Sequence, residues 1–277
     1  MNTEARRVVL VTGATDGIGR QTALDLMKLG FRVLVHGRTR EKAEAVSEAL
    51  VNEAGAGEAD YVFADLSSMA EVRRLADDTL ARTDKLDVLI NNAGVFLHER
   101  TLTVDGFEAT FAINHLAPFL LTHLLLPALR KAPAARLITV SSIAHSRGNI
   151  DFGDLRLERH YHGYSAYAAS KLANVLFAYE MARRLSGSSI TSNVLHPGVI
   201  GTKLLRSGFG MGGGTLSQGA ATSVRLASDP ALGKVTGKYF ADTKEAPSSP
   251  ASHDAGLAKR LYEESAKLVG VVELPPA

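Results

Sequence analysis

Residues 7–30 constrain this chain more than any other stretch, because a strand, a glycine turn and a helix follow one another there without interruption. Arg7-Val-Val-Leu-Val-Thr12 is a short, apolar, β-branched run, the pattern of a strand buried on both faces of a parallel sheet. Thr12-Gly-Ala-Thr-Asp-Gly-Ile-Gly19 comes next, and the helical pattern Gln21–Gly30 after it. Glycines at 13, 17 and 19 permit a sharp turn, bring backbone amides close to a ligand and let the helix lie tightly on the strand. The helix then presents its free N–H groups to an anion. A bare glycine triplet is weak evidence, since turns are rich in glycine. Strand, turn and helix in this order form the context that a dinucleotide pyrophosphate requires.

The later strand ends refine that expectation. Phe31-Arg-Val-Leu-Val-His36 ends at Gly37-Arg38-Thr39-Arg40. A free ribose 2′-hydroxyl is usually met by a carboxylate about 20 residues after the glycine turn. Glycine and arginine stand there instead, and a guanidinium suits a 2′-phosphate through bidentate, charge-assisted hydrogen bonds. NADP(H) is therefore the expected cofactor, with NAD(H) remaining possible. The alternative reading is that Arg38 and Arg40 merely open a solvated helix over Glu41–Leu50. Asp16, inside the turn, argues against the extra phosphate if its carboxylate points inward. Ala59-Asp-Tyr-Val-Phe63 leads to Asp65-Leu66, where Asp65 is placed to accept from an adenine amine, to cap a helix beginning near Ser67, or both. Leu86–Ile90 runs into Asn91-Asn92-Ala93-Gly94, small residues at the end of a parallel strand, where ligands of open α/β sheets bind.

The chemistry points to Tyr167 and Lys171, four positions apart in Ser165-Ala-Tyr-Ala-Ala-Ser-Lys171, with Ser141-Ser142 upstream. A helix over 164–185 stacks the phenol and the ammonium on one face. At roughly 4 Å and an effective dielectric of about 20, their attraction is on the order of 4 kcal/mol, enough to draw a phenol from about 10 toward neutral pH. Such a tyrosine can give a proton to an alkoxide or take one from an alcohol. Tyr-x-x-x-Lys is also an ordinary solvated helix face, so the glycine turn is what favours the catalytic reading. Ser142 follows the strand Arg136–Val140, and its hydroxyl can stabilise charge developing on a carbonyl oxygen. Ser141 is the competing serine, assigned a turn or supporting role.

Taken together, the chain resembles the classical short-chain dehydrogenase/reductases along nearly its whole length. The elements that carry the resemblance are Thr12-Gly-x-x-x-Gly-x-Gly19, Asn91-Asn-Ala-Gly94, Asn114, Ser142, Tyr167-x-x-x-Lys171 and His196-Pro-Gly198. Finer detail is similar to the retinol-dehydrogenase-like branch: Asn114–Thr122, Val140–Ser146, Ser170–Phe177 and Gly237–Phe240. The resemblance implies a Rossmann-type α/β fold, one doubly wound parallel sheet of about seven strands with helices on both faces. It implies a dinucleotide-binding half over about 1–140 and a catalytic, substrate-binding half over about 141–277. Tyr167 would be the general acid/base, with Lys171 lowering its pKa and binding the nicotinamide ribose. Ser142 would hold the substrate oxygen, and Asn114 would order a water beside Lys171. Cofactor contacts would come from Gly13, Thr15, Asp16, Gly17, Ile18 and Gly19 in the turn. Arg38, Asp65, Leu66, Asn92, Ala93 and Gly94 would follow on the next strand ends, with Pro197, Gly198 and Val199 beyond His196. The activity so implied is hydride transfer between nicotinamide and a small-molecule carbonyl or alcohol; Leu97, Leu204 and Phe209 suggest a lipophilic ketone or aldehyde, the alternative being that they pack on protein.

Composition narrows the rest. With 31 basic and 29 acidic residues the net charge is +2, which gives no electrostatic case for nucleic acid or an anionic membrane. Cysteine is absent, so disulfides and thiolate-held metals are excluded, and no metal is expected at His160-x-His162. Met1–Arg7 is short and polar, unlike a signal peptide, and Phe111–Leu129 is broken by Asn114, His115, His123 and Pro127. A soluble, cytoplasmic protein is expected. Two segments should flank the substrate: Ile143–Ala166, and Val199–Ser217, whose glycine run predicts a poorly helical, mobile lid with Phe209 and Met211 as its apolar contacts. A homodimer through the Tyr167 helix is an open possibility that the segment before it could block. The rival functions are a non-catalytic NADP(H) sensor or partner platform, disfavoured by the proton relay, and a sugar-nucleotide epimerase, disfavoured by the short C-terminal portion.

Overall fold

Leucine, valine and isoleucine alternate along the strands, and that alternation builds two cores on opposite faces of one sheet. The computed structural model describes residues 6–55 and 57–275; most of the Met1–Arg7 segment, read above as unlike a signal peptide, lies outside them. The strands are β1 (Val8–Val11), β2 (Arg32–Gly37), β3 (Glu58–Phe63), β4 (Val88–Asn91), β5 (Ala135–Val140), β6 (Ile190–His196), β7 (Tyr239–Ala241) and β8 (Lys244–Glu245). They join in the order β3-β2-β1-β4-β5-β6-β7-β8. All neighbours pair in parallel except β7 and β8, so the seven expected strands are the parallel ones. The eighth is a two-residue antiparallel edge, too short for any period to show. Asp242 and Thr243, both at positive φ, make the hairpin that produces it.

Helices α1 (Gly17–Lys28), α2 (Arg40–Ala54) and α8 (Leu216–Ser228) cover one face. There Val9, Val11, Val35 and Ile90 meet Leu26, Leu50 and Leu226. Helices α3 (Met69–Arg82), α5 (Ala117–Arg130), α6 (Gly163–Arg184) and α9 (Ala255–Val269) cover the other, where Leu10, Leu34, Leu89 and Leu137 meet Leu75, Phe119, Leu172 and Tyr262. Each such side chain contributes about 1.5–3 kcal/mol by leaving water. One-residue register slips would exchange the two cores, which fixes the pairing.

Two long helices bear on questions the sequence left open. One-turn α4 (Ala109–Phe111) continues through a π-helical turn at Ala112–Leu116 into α5. The stretch Ala109–Arg130 is long and apolar enough to cross a membrane, yet 78% of its apolar window is buried inside the fold. In α6 every residue from Ser170 to Met181 is buried. The C-terminal helix α9 packs along it, with Tyr262 fully buried and its ring 3.8 Å below the Arg184 guanidinium. The C-terminal helix thus covers part of the surface of α6. The bounds of α6 lie within a residue of those expected.

The lid differs from its expectation. Instead of a structureless glycine loop, residues after β6 form α7 (Lys203–Phe209), capped by the Thr202 hydroxyl on Leu205 N–H and stopped by Gly210 at φ 63°. Residues 211–214 after it are non-helical, and Gly214 is bridged to Ile200. Gly208 sits in that helix because a Cβ there would come within 2.9 Å of the Phe96 ring. It allows close packing, which composition alone reads as flexibility.

Candidate active site

The C-terminal ends of β1, β4, β5 and β6 converge on one edge, where Thr12 ties the first two together. Its hydroxyl accepts from Asn92 N–H (2.9 Å) and Ala93 N–H (3.0 Å), and Asn92 Nδ2 donates back to Thr12 O (2.8 Å). The Asn92 side chain is therefore spent on joining strands. Thr12 is a supporting residue that sequence reasoning treated only as the start of a motif. Gly19 lies in this knot: a Cβ on it would fall 2.3 Å from Gly13 O and 2.4 Å from Asn92 Nδ2. Gly19→Ala is expected to cost roughly 3 kcal/mol, since backbone must move to relieve the overlap. Urea unfolding would read that loss directly.

His36 is a second supporting residue missed in the sequence. It is buried at the end of β2, accepts Gly13 N–H at Nδ1 (3.0 Å) and donates from Nε2 to Ala64 O (3.2 Å). Burial holds its pKa down to about 4, so it is neutral at pH 7 and keeps the acceptor that fixes the glycine turn. The only signal was a histidine closing an otherwise apolar strand.

The turn fits a dinucleotide. Gly13 and Gly17 adopt positive φ, and the amides of Ile18 and Gly19 find no acceptor among the described residues, leaving them for a phosphate. Asp16 is exposed and accepts Gly17 N–H (2.7 Å) as the cap of α1, which spends one of its oxygens on the helix. Arg38 is exposed and makes no hydrogen bond or ion pair among the described residues, whereas Arg40 opens α2 and donates to Tyr61 Oη (3.1 Å). Asp65 Oδ1 accepts Ser67 N–H (2.9 Å), and α3 is capped by Ser68, so Asp65 braces the turn before that helix and does not cap it. Leu66 is buried beside it.

The reacting groups sit on β5 and α6. The two serines are clearly divided. Ser141 is buried and donates to the main-chain oxygen of Lys171 (2.8 Å). Ser142 is partly exposed and accepts Ala144 N–H (3.2 Å), and its side chain lies on the side of the Tyr167 phenol, where it favours the phenolate. Lys171 is buried and donates to Val140 O (3.2 Å), an oxygen it shares with Asn174 Nδ2. Gly94 makes room for this lysine, since a Cβ there would stand 3.2 Å from Nζ and 3.4 Å from Asn114 Oδ1. Asn114, in the π-helical turn, is fully engaged: it accepts Val95 N–H and donates to Val95 O and to Ser170 Oγ. Gly198 has φ 94°, and Val199 beyond it is exposed while its carbonyl accepts Gly214 N–H. Pro197 lies between them and β6, at the same strand end.

One expectation is overturned here. Lys171 does not pull the phenol toward neutral pH in this state; Tyr167 lies above its ordinary value, because burial outweighs the influence of the Ser142 side chain. The ammonium lies 5.6 Å from the ring centroid and is turned to Val140. Burial also lowers Lys171 itself, to about 8. Spacing on a helix locates the pair but carries no information about the desolvation of both members.

Over the phenol lies an aromatic roof. Phe96 and Phe209 stand 5.6 and 5.8 Å from the Tyr167 ring, and 4.6 Å from each other. Phe209 thus packs as the lid contact expected of it, whereas Met211 is exposed.

A dinucleotide turn facing a Tyr–Ser–Lys cluster across one sheet edge defines a nicotinamide-dependent oxidoreductase. The chain belongs to the short chain dehydrogenase family, whose pattern matches residues 7–209, and to its retinol-dehydrogenase-like branch. It is 39% identical over 293 residues to human retinol dehydrogenase 14, spanning 96% of this chain and 87% of that protein. It is 41% identical over 282 residues to human retinol dehydrogenase 13, spanning 96% and 85%. Among solved structures, an uncharacterized protein from Mycobacterium paratuberculosis superposes with a TM-score of 0.83 at 36% identity, covering 98% and 96% of the two chains. A Pseudomonas aeruginosa RhlG/NADP active-site complex gives 0.70 at 28% identity, covering 86% and 94%.

Proposed function

We propose that this protein transfers hydride between NADP(H) and a lipophilic ketone or aldehyde, or the corresponding alcohol, with Tyr167 as general acid/base. The observation that carries this reading is the Tyr167 phenol and the buried Lys171 ammonium side by side on α6, with Ser142 at the end of β5 at the same sheet edge. The substrate oxygen takes its place between the Tyr167 and Ser142 hydroxyls. Ser142 donates to it as charge develops, and Tyr167 delivers the proton in reduction or removes it in oxidation. A bound nicotinamide supplies or accepts the hydride. Lys171, largely protonated at pH 7 with its pKa near 8, stabilises the phenolate that Tyr167 becomes on giving up its proton. Burial keeps the phenol protonated beforehand, which suits carbonyl reduction. The apolar rim supports a lipophilic substrate: Ile143, Val199 and Met211 are exposed beside Ser142, the strand end and the lid. A soluble, cytoplasmic setting belongs to the same reading, on the even charge balance.

Free Arg38 supports NADP(H), as does the NADP-bound relative. Turnover of a panel of ketones, aldehydes and quinones with NADPH and NADH tests the proposal. NADPH should be preferred, and Arg38→Ser should raise its KM roughly tenfold to a hundredfold, the worth of one or two charged hydrogen bonds, with NADH hardly affected. A preference for NADH beyond about tenfold, or 1.4 kcal/mol, overturns the cofactor assignment. No turnover with either cofactor overturns the activity.

A further inference from the structure

We propose that His145 is a positioning residue for the reaction, fixing Ser142 from behind by clamping its main-chain carbonyl to the C-terminal segment. The proposal rests on the reading that Ser142 holds the substrate oxygen. His145 lies in the 3-10 turn Ile143–Arg147 that Ser142 caps, with Ser142 itself in an extended conformation. The imidazole is buried and has a partner on each nitrogen. Nδ1 faces Ser142 O at 2.8 Å, and Ser249 N–H points at Nε2 at 3.0 Å.

Those partners dictate one tautomer. A carbonyl oxygen only accepts and an amide N–H only donates, so Nδ1 carries the proton and Nε2 is the lone-pair acceptor. Burial holds the ring below its ordinary pKa, in keeping with that neutral form. Ser142 O also receives the His145 main-chain N–H (3.1 Å), so one residue grips this carbonyl twice. The far side of the ring is braced by Tyr239, with centroids 5.0 Å apart.

Sequentially, Ser249 is more than a hundred residues from the serine it supports. The segment around it is anchored in turn: Ser248 Oγ bonds Tyr179 Oη (2.7 Å) on α6, and Ser252 Oγ donates to Ser249 O (2.6 Å). A second imidazole completes the frame, since His196 at the end of β6 accepts Ile143 N–H (3.2 Å) on the other side of Ser142. The hydroxyl that meets the substrate thus projects from a peptide held by two histidines, and neither histidine reaches the reacting atoms. Positioning of this kind acts on the rate, because a displacement of about 1 Å at a reacting group can cost on the order of a hundredfold.

Two substitutions separate positioning from mere support. His145→Asn retains an N–H donor at the place of Nδ1 and loses the acceptor for Ser249. His145→Gln reaches to the place of Nε2, keeping an acceptor for Ser249 while releasing Ser142 O. Each deletes one neutral hydrogen bond of similar worth, so both should melt at similar temperatures. On the proposal, kcat falls on the order of tenfold or more in His145→Gln, with KM for NADPH unchanged, and only about twofold to threefold in His145→Asn. Equal losses of kcat in the two variants would overturn it, as would losses that simply track melting temperature. Ser142→Ala, measured alongside, separates the two readings. If that variant keeps its activity, the role given to Ser142 fails first. If it is inactive while Asn and Gln at 145 behave alike, only the inference about His145 fails.

Discussion

Tyr167→Phe is expected to lower kcat by about 10²–10⁴-fold, the usual contribution of a positioned acid/base, while leaving the protein folded. The substitution removes one oxygen and nothing else. The ring keeps its contacts with Phe96 and Phe209, and Ser142 on the oxygen's side is partly exposed and can turn to water. Stability should therefore change by no more than about 1 kcal/mol, the net worth of one neutral hydrogen bond. Lys171→Met should reduce kcat to a similar degree for the opposite structural reason. Its ammonium is buried, pushed down to about 8, with a carbonyl oxygen and no carboxylate as its partner. Removing the charge should leave the fold as stable or stabler, a stability–activity trade typical of such sites. If the phenol and ammonium work as a unit, the double variant will be little worse than either single one. Steady-state NADPH consumption and thermal melting read both quantities, and a Tyr167→Phe enzyme within threefold of the parent would end the proposed mechanism.

The parts of this site that local pattern can encode were legible, and the parts made by distant partners were not. The glycine turn, Asn92–Gly94, Ser142 and the Tyr167/Lys171 spacing each sit at the end of a strand or on one face of a helix, so a few residues of context place them. His36, His145 and Thr12 act through hydrogen bonds to residues far off in sequence, and no periodicity announces such a partner. Burial is equally non-local. The sequence gives the distance between a phenol and an ammonium along a helix, but their pKa values depend on α6 being enclosed on every side, partly by α9 near the far end of the chain. Arg38 and Arg40 are alike in local pattern, and Tyr61 on β3 engages only the second. The short helix within the lid was not legible, because glycine is both a helix breaker and the one residue small enough to let Phe96 approach a helix, and composition cannot tell these uses apart.

Acid should unfold this protein unusually steeply, and the histidines are the reason. His36 and His123 are held at about 4 and His115 at about 3, in each case chiefly by burial. The neutral ring fits the hydrogen bonds of His36 and His123. His36 accepts Gly13 N–H, while His123 donates from Nδ1 to Phe119 O (2.7 Å) and so accepts the Tyr262 hydroxyl at Nε2 (2.7 Å). In the unfolded chain the same histidines titrate near 6.5. Between about 6.5 and 4 the unfolded state therefore binds protons that the folded state refuses, and stability falls as pH falls. Above about 6.5 the contribution is fully present. Below it each histidine removes about 1.4 kcal/mol per pH unit, so three remove roughly 4 kcal/mol per unit. His145 and His196, also lowered by burial, act in the same direction. Against a total stability of about 5–15 kcal/mol, that slope should unfold the protein within two or three units below neutrality. The depressed carboxyls Glu71, Asp154 and Asp229 are partly exposed and are lost only at lower pH, so they do not confuse the window. Urea midpoints should be level from pH 8 to 7 and drop sharply from 6 to 5, and His123→Gln should reduce the slope by about one proton while lowering stability at pH 7. A midpoint that stays level down to pH 5 would mean that these rings are protonated in the folded state, and the neutral hydrogen bonds that hold the glycine turn and the C-terminal helix would have to be redrawn.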